Sequence, residues 1–193
     1  MMKIPQNWLP HVHHDGCYWF WAPSEWSVTS PLSGGAAFAL VSQRDRAFLE
    51  AFVLGLPAGR IAQGCELVED AMKRSLVDDH PGLRTIRQGP FTIEDVDVVD
   101  GLARMTSLGL MGGYAFVEQM RGPAKCHRLT VEYNDQVMMS SGPATQKTTT
   151  DCFALLGGDM VLQLNMKGLS ADYRNLARTF EQIAASARIG KFA

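Results

Sequence analysis

Several things are scarce in this sequence, and each scarcity excludes something. No charge of one sign dominates: Lys and Arg number 18 against 20 Asp and Glu, a formal net charge of −2. A nucleic-acid partner, which needs a basic face or stripe, is therefore not expected. Long apolar runs are missing, and no window approaches the roughly 20 residues of a membrane helix, so no membrane insertion is expected. The opening stretch from Met1 to Gln6 has no apolar segment behind Lys3, and no secretory leader is expected. Cysteines are few and unpaired in spacing: Cys17, Cys65, Cys126 and Cys152 form no C-x-x-C. With no leader, they read as reduced, buried thiols of a cytoplasmic protein.

Catalytic signatures are equally scarce. No G-x-S-x-G elbow occurs, and Ser33-Gly34-Gly35 and Ser140-Ser141-Gly142 read as turns. Gly109 to Gly113 lacks the lysine and hydroxyl residue of a phosphate loop. Glu94, Asp95, Asp97 and Asp100 cluster without the spacing of a calcium loop and read as a solvated strand edge. One dense group of potential metal ligands exists, His11-x-His13-His14-Asp15-x-Cys17. Imidazole and thiolate suit zinc, but no second pair of ligands with finger-like spacing follows. The group reads as a polar lead-in to a strand. No metal or other cofactor is expected, and catalysis is not the favoured reading. His11, His13 and His14 as a metal-dependent hydrolase site, and a small-ligand domain, are the alternatives.

What the chain has in quantity is apolar: 46% hydrophobic against 20% charged residues, enough for one well-filled domain. Cys17 to Trp21 is an aromatic run of high β propensity, stopped by Ala22-Pro23 and followed by a turn over Pro23 to Trp26. Pro31 to Gly35 marks a second turn. Ser27 to Thr29 and Ala36 to Val41 read as short strands, while Phe48 to Leu56 suits a strand or a helix equally. Ile61, Cys65, Val68, Met72 and Leu76 fall on one face of a helix over 61–79, stopped by His80-Pro81-Gly82. A second helix over 170–188 starts at Ser170 as N-cap, with Tyr173, Leu176, Ala177, Phe180, Ile183, Ala184 and Ala187 as its stripe. Between the helices, period-2 alternation marks Phe91 to Val98, Leu129 to Tyr133 and Met160 to Met166 as strands, one face buried and the other partly wet. Asn134-Asp135 reads as a tight turn into Val137-Met138-Met139. Together these predict an α+β domain over 14–193, an antiparallel sheet flanked by helices, preceded by an arm over 1–13.

Two features suggest a binding surface. Along an extended run, Tyr18 and Phe20 point away from Trp19 and Trp21, so one pair enters the core and the other stays available to a partner. Methionines are plentiful in the β-rich half, Met138 and Met139 among them, and methionine builds adaptable contacts. The expected function is a non-enzymatic adaptor or chaperone that docks a protein segment on an apolar sheet face. A homodimer using the same patch is equally compatible.

The run Cys17 to Trp26 resembles the aromatic strand and Pro-x-x-Trp that open PsbP-like domains. Asp100-Gly101-Leu102-Ala103-Arg104 resembles their central Gly-x-x-Ala strand, and Leu162 to Tyr173 with Phe180 to Ile189 resembles their last strand and closing helix. That superfamily includes the photosystem extrinsic protein, the Ran-binding Mog-type factor and the Eag chaperones of type VI secretion effectors. The resemblance implies an α/β/α sandwich around an antiparallel sheet. It implies no catalytic set, because members share none. Through the Eag chaperones it points to an apolar segment of a secreted effector as the partner.

Overall fold

The computed structural model describes residues 3–13, 18–93, 122–139 and 142–189, the side chains of 137–139 excepted. Two antiparallel sheets form among them. The smaller joins β1 (Trp8–Val12), β2 (Tyr18–Pro23) and β10 (Arg188–Ile189), with β2 in the middle. The larger has the order β3-β4-β5-β9-β8-β7-β6, from β3 (Ser27–Thr29), β4 (Phe38–Ser42), β5 (Ala47–Gly55), β6 (Arg84–Pro90), β7 (Lys125–Met139), β8 (Gly142–Gly157) and β9 (Met160–Leu169). Helix α1 (Gly64–Asp79) covers one face of the large sheet, and α2 (Tyr173–Ser186) with the small sheet covers the other. This is the expected α+β arrangement, a sheet between helical layers.

Period-2 patterning explains the two covers. On β7, β8 and β9, Cys126, Phe153, Leu155, Leu162 and Leu164 face α2 and the aromatic strand. Leu129, Val131, Ala154, Leu156 and Val161 face α1. The central strands are thus buried on both faces, rather than wet on one as alternation suggests, because α1 lies over the second face. Phe48 to Leu56, ambiguous by pattern, is strand β5, paired throughout with β9. The α1 stripe lies as its spacing predicts, although Ile61 belongs to the 3-10 helix Ala58–Gln63 and the α-helix begins at Gly64. His80 closes α1 by donating its N–H to the Leu76 carbonyl, and Gly82 then takes φ +91°, a conformation open to glycine.

Several expectations need correction. Asn134 and Asp135 do not turn the chain: they sit within β7, opposite Lys147 and Gln146, and Asp135 is ion-paired with Lys167. Long-range pairing there overrides local turn chemistry. Ser170 is not the cap of α2; its hydroxyl bonds Thr149 Oγ1 at 2.8 Å, and Asp172 is the N-cap, paired with Arg46. The helix also stops at Ser186 rather than 188. Ala187 is extended, and Arg188 Nη1 donates to the Ala185 and Ala187 carbonyls at the helix end. Arg188–Ile189 then pairs with β2, where Gly157 lets Ile189 approach: a Cβ on Gly157 would lie 2.5 Å from that of Ile189.

A further correction concerns Tyr18, Trp19, Phe20 and Trp21. All four are at most 1% exposed, so neither pair is offered to a partner. Phe20 packs on His11 and Phe38, with ring centroids 5.8 and 6.1 Å away, and Tyr18 packs on His13. Trp19 lies beneath the Arg188 guanidinium, and the Trp21 amide donates to Ser186 Oγ at the end of α2. The strand is sandwiched because a second sheet carries it against α2. Strand β6, exposed nearly throughout and with Ile86 as its one large aliphatic side chain, has no signal in the sequence; Phe91 to Ile93 follow it outside any strand, and 94–98 lie outside the described residues.

Candidate functional site

Of the metal-ligand candidates, His14 and Cys17 lie outside the described residues. His11 packs between Phe20 and Phe38, and burial pulls its imidazole down to about 4. His13 lies against Tyr18, 5.0 Å between ring centroids. Both rings serve aromatic packing, and the described residues contain no group of three or more His, Cys, Asp or Glu able to hold a metal. Met138 and Met139 are opposite Pro143 and Gly142 at the end of β7, their side chains outside the described set. The acidic cluster 94–100 and the glycine-rich 109–113 also lie outside it.

The thiols are built for burial. Desolvation pushes Cys65 up to about 11 and raises Cys126 and Cys152 further. Cys65 Sγ also donates to the Ala154 carbonyl at 3.2 Å. Thiolate is the nucleophilic form, so these groups are inert at neutral pH. In the native protein at about pH 8, a dithiobis-nitrobenzoate reagent is expected to leave peptides bearing Cys65, Cys126 and Cys152 unlabelled until denaturant is added. Peptide mapping that finds native Cys65 labelled within minutes would contradict this.

Two polar clusters lie on opposite faces of the sheet. Under α2, Arg128 donates through Nε and Nη2 to the two oxygens of Asp151, at 3.0 and 2.8 Å, and through Nη1 to Glu181. Tyr173 Oη donates to Asp151 at 2.7 Å, Thr130 donates to it as well, and the guanidinium lies about 5 Å from the Phe91 and Phe153 rings. Every strong acceptor in that cluster has a donor, which is the pattern of a structural network. Under α1, His127 Nδ1 meets Glu69 Oε2 at 2.7 Å, and Lys125 pairs with Glu66. Neither cluster contains a reactive nucleophile. Hollows on the described surface include one of about 470 Å³ along Asp70, Lys73, Arg74, Val77 and Asp78 of α1, and one of about 160 Å³ between Arg46 and Asp172. Both are lined by charges of both signs and open to solvent.

Among the described residues, the most exposed large apolar side chain is Leu32, at 83%, with Val28 on strand β3 at 65%. Leu32 does not sit on a loose loop. The buried Glu50 carboxylate on β5 accepts from the Leu32 amide at 2.8 Å, the Ser33 amide at 2.7 Å and the Ser33 hydroxyl at 2.6 Å. The 31–35 turn is therefore clamped from inside while its leucine points outward. Strand β3 is one edge of the large sheet, and the stretch from Ser27 to Ser33 that begins with it carries no charge. Sequence reading recognised the turn but not the clamp, because Glu50 lies 18 residues from Leu32.

No family model and no curated protein matches the chain. Solved structures do. Cyanobacterial PsbP from Synechocystis sp. PCC 6803 is 10% identical, with a TM-score of 0.54 over 96% of this chain and 94% of that one. LpqN, involved in cell envelope biogenesis of Mycobacterium tuberculosis, is 13% identical, with a TM-score of 0.52 over 98% and 89%. The Ran-binding protein Mog1p of Saccharomyces cerevisiae is 9% identical, with a TM-score of 0.52 over 96% of each chain. At such identities the likeness concerns architecture and not activity. Among the described residues, no helix is long and apolar enough to cross a membrane. The sheet order, the two helical covers and these matches agree on one statement: the chain has the PsbP-like α+β fold.

Proposed function

We propose that this protein is a non-enzymatic binding module, an adaptor or chaperone-like factor, that docks a partner protein at the β3 edge and the 31–35 turn. The observation that carries the reading is Leu32: 83% exposed, on a turn held by two backbone N–H bonds and one Ser33 hydroxyl bond to a buried carboxylate. An apolar anchor on a pre-ordered turn loses little entropy on binding. The neighbouring edge supports it. Natural edge strands are usually guarded by charge, and Ser27 to Ser33 has none, so an extended apolar segment can lie beside it. That Mog1p, a Ran-binding protein, has a similar architecture supports a protein-binding reading. The partner we favour is an apolar segment of another protein, such as a secreted effector, met in the cytoplasm.

Leu32→Asp tests the site. As an exposed substitution it should change stability by no more than about 0.5 kcal/mol. Affinity purification from the native cell is expected to recover a partner with the wild-type protein, and the variant should bind it at least about tenfold more weakly. Equal recovery by both proteins, at equal melting temperature, would overturn the assignment. Light scattering separates the other occupant: a dimer that Leu32→Asp turns into a monomer means the patch is used by a second copy.

A further inference from the structure

On the α1 face of the sheet, Glu66 and Glu69 stand one turn apart on the helix, above Lys125 and His127, which alternate on β7. Lys125 takes Glu66, and His127 Nδ1 takes Glu69, with the two latter side chains 5% and 7% exposed. The other ring nitrogen is left over. His127 Nε2 lies 3.7 Å from Glu66 Oε1, too far for a hydrogen bond, and both Nε2 and Glu66 Oε2 are buried without a partner. Buried polar atoms are rarely left this way; the nearer oxygen, Oε1, already accepts from Lys125, on a side chain that is 44% exposed.

The protonation state of the imidazole decides whether they stay so. A carboxylate only accepts, so Glu69 requires the N–H on Nδ1. A neutral ring then presents a lone pair at Nε2 toward the Glu66 carboxylate. A protonated ring presents a second N–H, and closing the gap by less than about 1 Å makes a charge-assisted bond. Charge points the same way. Facing the ring are two carboxylates and one ammonium; Cys65 stays a thiol, since burial holds it near 11. Opposite His127, β6 places Pro90 and β8 places Ala154, neither of them charged. An imidazolium brings the cluster to neutrality.

We propose that His127 is a proton-operated latch for α1: on taking up a second proton its Nε2–H closes on Glu66, and the helix is held to β7 by two bonds from one ring in place of one. The helix is built to need such a latch. Its fully buried residues, Gly64, Cys65, Val68 and Glu69, all fall within its first six positions, while Met72 and Leu76 are half-buried and 77–79 are exposed. Helices so lightly packed open locally at a lower free energy than the core. Opening α1 uncovers Ala154, Leu156 and Val161 on the sheet.

The sign follows from linkage. The closed form takes up a proton that the open form does not need, so acid favours closure, and the second bond is lost as pH rises. Glu66 remains an acceptor on the acid side, because its bond from Lys125 holds the carboxyl below the ordinary range.

Amide hydrogen exchange on the whole chain, corrected for intrinsic rates, tests this at about pH 5.5 and 7.5 in the wild type and in His127→Gln. Glutamine can still donate to Glu69 but cannot gain a proton. In the wild type, protection over 65–72 should rise about tenfold at the lower pH relative to β8, and His127→Gln should show no such rise. An equal response in both proteins, or none in the wild type, would overturn the latch. Should His127→Gln fail to fold, nitrogen-detected spectra of the wild-type imidazole decide. A protonated ring with a slowly exchanging Nε2–H at low pH is expected. A ring that stays neutral, or whose Nε2–H exchanges freely, would end the proposal.

Discussion

Asp151→Ala is expected to cost about 3–5 kcal/mol in urea unfolding, the loss associated with removing one partner of a buried ion pair. The reason is what the substitution leaves behind. Asp151 is fully buried and Arg128 is 2% exposed. Deleting the carboxylate strips the guanidinium of two hydrogen bonds and leaves it with Glu181, whose side chain is 41% exposed, and with Tyr173. Thr130 and Tyr173 lose their acceptor at the same time. The phenol is a poor replacement acceptor, because burial, the first cause of its raised pKa, remains in the variant and disfavours ionisation. Arg128 also cannot swing out, because the Phe91 and Phe153 rings flank it. The companion variant separates charge from shape. Arg128→Met combined with Asp151→Leu removes both charges at similar volume and should recover more than half of the loss. A single-variant loss under about 1 kcal/mol, or no recovery in the double variant, would show that the network holds nothing together.

These pairs also mark where sequence reading stops. The stripes of α1 and α2 and the alternation along β9 were legible because a period along the chain reports a face in space. The resemblance of the opening aromatic run to PsbP-like domains pointed to the same architecture. Strand β6 left no such trace: Arg84 to Gln88 is exposed edge, and an edge with both faces wet has no apolar period to read. Asn134-Asp135 carried a turn signal that the β7–β8 ladder and Lys167 overrode. In the aromatic run the signal was present and misread. Alternation predicts one wet face only when polar residues occupy it, and Tyr18-Trp19-Phe20-Trp21-Ala22 has none outside the Tyr hydroxyl and the indole N–H groups. A continuous apolar run is the mark of a strand covered twice. The candidate site was the least legible part. Leu32 was visible as a turn residue, but Glu50, Glu69 and Asp151 meet their partners across 18, 58 and 23 residues, where no local spacing leads.

Phe180→Ala should be the costliest single truncation on α2, about 3–5 kcal/mol, and Leu176→Ala should cost less, nearer 2 kcal/mol. Both residues belong to one stripe and one core cluster, so the difference lies in what surrounds them. Phe180 is fully buried, its ring edge-on to Trp26 at 6.3 Å, between the large sheet and the turn that follows β2. Walls of sheet and indole cannot collapse into the space a phenyl vacates, so the cavity persists and its cost adds to the lost transfer energy. Leu176 lies over Gly168, close enough that a Cβ there would meet its Cδ1 at 2.5 Å. Its other side borders the open hollow lined by Arg44, Asp45, Arg46, Asp172 and Asn175. Water can refill a site that borders solvent, which removes most of the cavity penalty. Tryptophan emission provides a second readout: among the described residues Phe180 is the ring recorded edge-on to Trp26, so the summed emission of the four tryptophans should shift in Phe180→Ala and not in Leu176→Ala. The reverse order of stability loss would mean that α2 is anchored at its first turn, through Asp172 and Arg46, rather than through the aromatic core beneath its middle.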